Sequence, residues 1–133
     1  MRFPTTKFWN IALWVTQIYL CGMFLFAGVM KVAKSPQGLA DMGWHWALVT
    51  PHWFILFIGV MEIAGAIGVV LPGLTRILPV LVPTAAGGMI LVQIAAIILH
   101  ATRGETSHTL PINLILLVPA AFVVWGRTRP SLR

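Results

Sequence analysis

The stretch "LFIGVMEIAGAIGVVL" (residues 56–71) decides how the rest of the chain is read. Together with residues 53–55 it makes an apolar run of about the twenty residues a helix needs to cross a hydrocarbon core about 30 Å thick. Yet Glu62 stands near its middle. A carboxylate at that depth is costly against lipid, so it is expected to face the protein interior and find partners there. At about 100° per residue, Gly59, Glu62 and Ala66 share one helix face, and the small neighbours let another helix approach closely.

The composition supports a membrane setting. Only 9% of the 133 residues are charged and 59% are hydrophobic, whereas soluble domains carry about a quarter charged residues. A chain of this length forms one unit. The net charge of +6 would suggest nucleic acid in a soluble domain. Here the basic residues lie between apolar segments and at the chain ends, where they set topology and meet lipid headgroups. The bilayer, and not nucleic acid, is the partner this implies. Cys21 is the single cysteine, which excludes an intrachain disulfide, a CxxC redox pair and a cysteine-type metal site. His45, His52, His100 and His108 show no HxxH or HExxH spacing, so no metal site is predicted.

Four segments are predicted to span: about 8–30, 53–71, 77–100 and 110–126. The first follows "RFPTTK" and runs into Lys31 and Lys34 without a good small-residue cleavage site, so it reads as a span and not as a secretory leader. The expected fold is therefore an all-α, polytopic four-helix bundle with both termini on one side. Arg2, Lys7, Arg76, Arg127, Arg129 and Arg133 fall on that side. Lys31, Lys34 and Arg103 fall on the other, partly offset by Asp41 and Glu105. The positive-inside rule places both termini in the cytoplasm and the 31–52 and 101–109 loops outside a multi-pass inner (plasma) membrane protein.

The first of those loops runs into "DMGWHWALVTPHWF" (41–54) with Trp44, Trp46 and Trp53. An interfacial aromatic belt is the favoured reading, ahead of a lid for an apolar ligand. Pro79, Pro83 and Pro119 fall inside predicted spans and should bend them, while Pro111 falls at a helix start, where its missing N–H is harmless.

Each span carries one mixed small-and-polar stripe: Gln17, Cys21, Phe24, Gly28 and Lys31 in the first; Met89, Gln93, Ala96 and His100 in the third; Asn113 and Ala120 in the fourth. Measured inward from the outer boundary at about 1.5 Å per residue, Asn113 lies about 5 Å deep, Gln93 about 10 Å, and Glu62 and Cys21 about 14 Å, with Lys31 and His100 at the rim. Only Gln17 lies deeper. The pattern predicts a pocket open to the outer side and closed below, with Glu62 as the candidate catalytic residue and Lys31, Gln93, His100, Asn113 and Gln17 as candidate ligand-binding residues.

Structural roles stand beside these. Glu62 could register the helices, and Gln93 and Asn113 could be interhelical glue worth about 1 kcal/mol each. Lys31 has the position of a snorkelling topology residue, its depth suggesting that water separates it from Glu62. Cys21 suits apolar packing. His100 is equally a helix-end residue or a proton carrier, since imidazoles titrate near neutral pH.

With "FLFAGVMK" (24–31) closing the first span and "MEIAGAIGVVLP" (61–72) in the second, the chain resembles the DoxX and DoxX-like family. The likeness continues through "GGMILVQIAAIILHATRGE" (87–105) to a fourth span that holds Asn113 and ends in "VVWGR" (123–127). It covers about residues 12–127. The resemblance implies a small four-helix membrane protein, linked in some relatives to quinone-coupled sulfur oxidation or membrane oxidoreductase complexes. It marks Gly28, Lys31, Glu62 and Arg127 as recurring residues. The tryptophan-rich loop and the lone cysteine depart from the pattern, and the latter speaks against an internal thiol redox role.

The reading these features favour is a membrane subunit or small enzyme that binds a lipophilic, quinone-like molecule or a lipid. Glu62 would exchange a proton with, or hydrogen-bond to, a carbonyl or hydroxyl, and Gln93 and Asn113 would orient it. No haem, flavin or iron–sulfur signature occurs, so electrons would come from a partner such as another membrane oxidoreductase subunit. A homo-oligomer is the other association considered. Two alternatives remain open at this level. One is a proton-coupled exporter of the small multidrug type, whose membrane acid lies in the first span rather than the second. The other is a ligand-free scaffold subunit of a larger complex.

Overall fold

A computed structural model describes residues 3–132, with side chains from Thr6 onward. Arg2 and Arg133, two of the six basic residues assigned to the terminal side, lie outside the described residues. Four long helices form the protein: α1 (Phe3–Ala33), α3 (His52–Thr75), α4 (Leu81–Thr102) and α5 (Thr106–Arg127). A short α2 (Pro36–Asp41) and a 3-10 turn (His45–Val49) join the first two. Each long helix is apolar and long enough to cross a membrane.

Burial recurs every three or four residues along each helix: Leu13, Gln17, Leu20, Phe24, Gly28 and Lys31 in α1; Ile55, Gly59, Glu62, Ala66, Val69 and Pro72 in α3. Val82, Ala86, Met89 and Gln93 repeat the spacing in α4. Such a seam lets side chains of one helix seat between those of the next. The helices close into a ring, with α1 against α3 and α5, and α4 against the same two. Leu20, Phe24, Ala66, Val69, Met89, Ala120 and Val123 meet at its centre. Large apolar side chains such as Phe57, Ile67, Leu91 and Val118 remain outside, where lipid is their solvent.

Lipid offers no hydrophobic drive between helices, so close packing must hold them together. Gly28 and Gly59 provide it where α1 crosses α3. A Cβ on Gly28 would sit 2.7 Å from the Gly59 carbonyl oxygen, and one on Gly59 would sit 2.9 Å from that of Gly28. Hydroxyls are bonded within their own helices, the half-buried Thr16 donating to the Ala12 carbonyl (2.7 Å) and the exposed Thr84 to that of Val80 (2.8 Å).

Three helix starts differ from the sequence expectation, the first lying at 3 and not 8. The third span begins at 81, not 77, because Arg76 (φ 58°) and Leu78 (φ 49°) turn the chain through the left-handed region. Pro79 therefore belongs to the connection, and Pro83 to the first turn of α4, where it breaks nothing. The fourth begins at 106, not 110, since the polar turn Thr106–Thr109 is helical, with Thr109 Oγ1 donating to the Glu105 carbonyl at 3.0 Å. Pro111 thus lies inside α5 rather than at its start. Hydropathy marks the apolar part of a helix, not its ends. Pro119, inside α5 as expected, removes the amide that would bond to Ile115; Tyr19 of α1 donates its hydroxyl to that carbonyl at 3.1 Å instead.

The start of α1 and the end of α5 meet at one face, where Arg127 of α5 bonds to Asn10 of α1. The opposite face carries α2, the 3-10 turn and Trp44, Trp46 and Trp53. These are the terminal face and the tryptophan face below.

Candidate functional site

Helix direction brings Lys31 and Glu62 together. Side chains lean toward the N-terminus of their helix. The two helices run antiparallel, so Lys31 near the end of α1 leans into the bundle while Glu62 of α3 leans toward the tryptophan face. Lys31 Nζ donates to Glu62 Oε2 at 2.8 Å and Oε1 at 3.1 Å. This corrects the expectation of intervening water: a depth estimate from Cα positions alone omits the reach of two long side chains toward each other. The pair lies beneath the surface, with side-chain exposures of 9% and 6%. The Gly28–Gly59 crossing lies directly beside it, since a Cβ on Gly59 would also be 2.9 Å from the Lys31 Cβ.

A cap covers this end. Ser35 starts α2 by accepting a hydrogen bond from the Gly38 amide (3.1 Å), and Gly43 (φ 97°) turns the chain back toward the bundle. Leu39, Ala47 and Ile55 are buried beneath the returning segment, with Met30, Trp44 and Trp46 packed against them. The Trp44 ring centroid is 4.9 Å from Lys31 Nζ and that of Trp46 is 5.8 Å away, both within cation–π range. The three tryptophans therefore part company. Trp53 is 71% exposed and fits the expected belt, whereas Trp44 and Trp46 face the buried ammonium. The segment lies across the end at which a pocket opening was expected.

Gln93 and Asn113 complete a polar layer. From the turn joining α3 to α4, Glu62 stands about 20 Å and Gln93 about 18 Å along the bundle; from the turn joining α4 to α5, Gln93 stands about 14 Å and Asn113 about 11 Å. All three are on buried stripes and lie within about one helical turn of the same height. Gln93 Oε1 and Asn113 Nδ2 are buried and have no protein hydrogen-bond partner. The first is an acceptor and the second a donor. Interhelical glue would have paired them.

The remaining candidates lie elsewhere. His100 Nδ1 contacts Glu105 Oε2 at 2.8 Å, while the Glu105 amide donates to the His100 carbonyl at 3.0 Å. His100 thus clasps the α4–α5 turn, about 10 Å above Gln93. Gln17 sits toward the terminal face. Its Nε2 donates to the Val69 carbonyl (2.7 Å), in the turn of α3 that precedes Pro72, and its Oε1 accepts from Arg127 Nε (2.6 Å). Arg127 Nη1 also donates to Asn10 Oδ1 (2.8 Å) and to the Leu132 carbonyl (2.6 Å), and its guanidinium lies 5.4 Å from the Trp14 ring.

A cavity of about 360 Å³ opens on another face, between α3 and α4. Its walls are small, with Ala64, Gly65 and Gly68 on one side and Ala85 and Gly88 on the other. Phe24 of α1 forms its back.

A family model covers most of this architecture, matching residues 15–123 from the first span through most of the fourth. The chain belongs to the DoxX-like family. The match takes in Gln17, Lys31, Glu62, Gln93, His100 and Asn113 and stops before Arg127. No curated protein and no solved structure matches the chain. This DoxX-like protein is thus a multi-pass membrane protein whose interior holds an ion pair and, near the same level, two side-chain amides with one unpartnered atom each. Sequence reasoning missed the inward turn of Trp44 and Trp46 and the cavity. Gly43 between α2 and the tryptophans was the available signal for the first, and the small residues on the 64/68 and 85/88 faces for the second.

Proposed function

We propose that this DoxX-like protein binds a lipophilic molecule of quinone type, with its polar head in the layer formed by Glu62, Gln93 and Asn113. The carrying observation is that Gln93 Oε1 and Asn113 Nδ2 are buried without protein partners beside the level of the Lys31–Glu62 pair. A buried polar atom left unpaired costs about 1–3 kcal/mol. A ligand carbonyl would accept from Asn113, a ligand hydroxyl would donate to Gln93 or Glu62, and either would offset that cost. Lys31 has three N–H donors, so it can serve a ligand oxygen as well as the carboxylate. Glu62 is the group for proton exchange with a hydroxyl or carbonyl oxygen. Electrons for a quinone couple would come from a partner, another membrane oxidoreductase subunit or a second copy. The excess of basic residues at the terminal face supports cytoplasmic termini in an inner membrane, with the polar layer reached from the outer half.

The test is binding of a decyl benzoquinone to the purified protein in nanodiscs. Glu62→Gln and Asn113→Leu should each weaken binding roughly tenfold, as expected when a site loses one hydrogen bond to its ligand. Unchanged binding and activity in Glu62→Gln overturns the reading. Dye efflux that follows a proton gradient and needs Glu62 would favour the exporter instead. A stable protein companion without bound lipid would favour the scaffold.

A further inference from the structure

The tryptophan end is covered and the cavity opens sideways. The cap of α2 and the 3-10 turn lies over Lys31, with Leu39 fully buried and Ala47 nearly so. Between α3 and α4, by contrast, the lining reaches from Leu81 near the terminal face to Val92. That is about 16 Å of helix at about 1.5 Å per residue. Leu81, Thr84 and Gly88 on its rim are exposed, on a helix long and apolar enough to cross a membrane. The upper end stops at Met61 and Val92, the residues immediately before Glu62 and Gln93. Met89 lines the cavity and also belongs to the central core. It is an unbranched side chain that can move between rotamers, one helical turn before Gln93 on the same buried stripe of α4.

From this we infer that the α3–α4 seam is a lateral groove for one hydrocarbon chain. Its occupant is a single-chain amphiphile whose uncharged, carbonyl- or hydroxyl-bearing head sits in the Glu62–Gln93–Asn113 layer, so the inference rests on the function proposed above and adds its route and ligand class. Three observations select that class. The volume of about 360 Å³ lies at the small end of ligand pockets, which run about 300–1,000 Å³, and suits one chain better than two. The lining is hydrocarbon apart from Thr84, whose hydroxyl is bonded to the Val80 carbonyl, so a charged head would have to cross an apolar seam at the cost of its hydration. The unpartnered amide atoms at the upper end are neutral groups, suited to a neutral head. Head and tail are then ordered, with the head toward the tryptophan face and the tail running toward the terminal face.

Gly88→Phe separates tail from head. Gly88 lines the groove and a Cβ there meets nothing within 4 Å, so a large side chain can be placed at this position. Gly22→Phe, equally open but on α1, is the control, and elution volume and helicity confirm that both variants fold. In nanodiscs, Gly88→Phe should weaken decyl benzoquinone roughly tenfold or more, since several buried methylenes are excluded, and leave chainless benzoquinone unchanged. Gly22→Phe should change neither. A diazirine on the decyl chain should label wild-type peptides containing Gly65 or Gly88, with an excess of unlabelled decyl benzoquinone competing. Equal binding of the decyl compound to Gly88→Phe and wild type overturns the groove while leaving the head site standing. Absence of binding to wild type overturns both. Labelling of the same peptides by a diazirine phospholipid that the quinone does not displace assigns the groove to a two-chain lipid and overturns the ligand class proposed here.

Discussion

At the terminal face Arg127 donates to Gln17, Asn10 and the Leu132 carbonyl, whereas toward the tryptophan face Lys31 meets the carboxylate of Glu62. Both cations are buried, both lie over tryptophan rings and both bridge distant segments of chain. Their surroundings differ. Around Arg127 the acceptors are neutral and engaged, and Gln17 passes the connection on to the Val69 carbonyl in α3. That arrangement ties α1, α3, α5 and the end of the chain to one another. Around Lys31 the pair is charged, and amide atoms of Gln93 and Asn113 at the level of Glu62 remain unpaired. A bundle needs the first kind of cluster to stay closed. The second kind holds unmet hydrogen-bonding capacity that a ligand can use.

Breaking each cluster should expose that difference. The largest effect is expected for Lys31→Met alone, which leaves the Glu62 carboxylate buried without its cation. Such truncations cost about 3–5 kcal/mol, readable as a lowered Tm in detergent. Replacing both members, Lys31→Met with Glu62→Leu, should restore most of that stability, because paired burial of charge gains little over apolar packing. Ligand binding should stay lost in the double variant. If binding returns with stability, the pair is structural and the two clusters are alike.

A smaller loss is expected for Arg127→Met. The hydrogen bonds to Gln17, Asn10 and the Leu132 carbonyl disappear, and at near 1 kcal/mol each for polar contacts in membranes the variant should lose at least about 2–3 kcal/mol. Its affinity for decyl benzoquinone should match the wild type once both are measured folded. A selective loss of affinity would make the terminal cluster part of the site.

The smallest stability change belongs to Gln93→Leu. Its Oε1 has no protein partner, so removing it should change stability by less than about 1 kcal/mol, or raise it slightly. Affinity should fall all the same. Lost stability with unchanged affinity would return Gln93 to the role of interhelical glue.

How much of this was legible beforehand differs between the fold and the site. The four spans and their buried faces follow from residue solvation and helical periodicity, both local properties. Gln17, Lys31, Glu62, Gln93, Asn113 and Arg127, the buried polar residues among those described, all lie on stripes or motif positions visible in the sequence. Helix ends were less legible, as the 106–109 turn shows, because a polar turn can be helical without being apolar.

What the sequence by itself determined about this protein is therefore the class, the number of helices and which polar side chains of those helices turn inward, since lipid cannot solvate a carboxylate or an amide. Only the tertiary structure decided which inward groups meet. Lys31 reaches Glu62 because antiparallel helices lean their side chains toward each other, and Gln17 goes to Arg127 because the end of α5 returns to α1. Trp44 turns inward because α2 and Gly43 fold the loop over the bundle. The α3–α4 opening arises because small residues on adjoining helices leave a gap between them. Each outcome depends on where a second segment lies, and no local pattern carries that information.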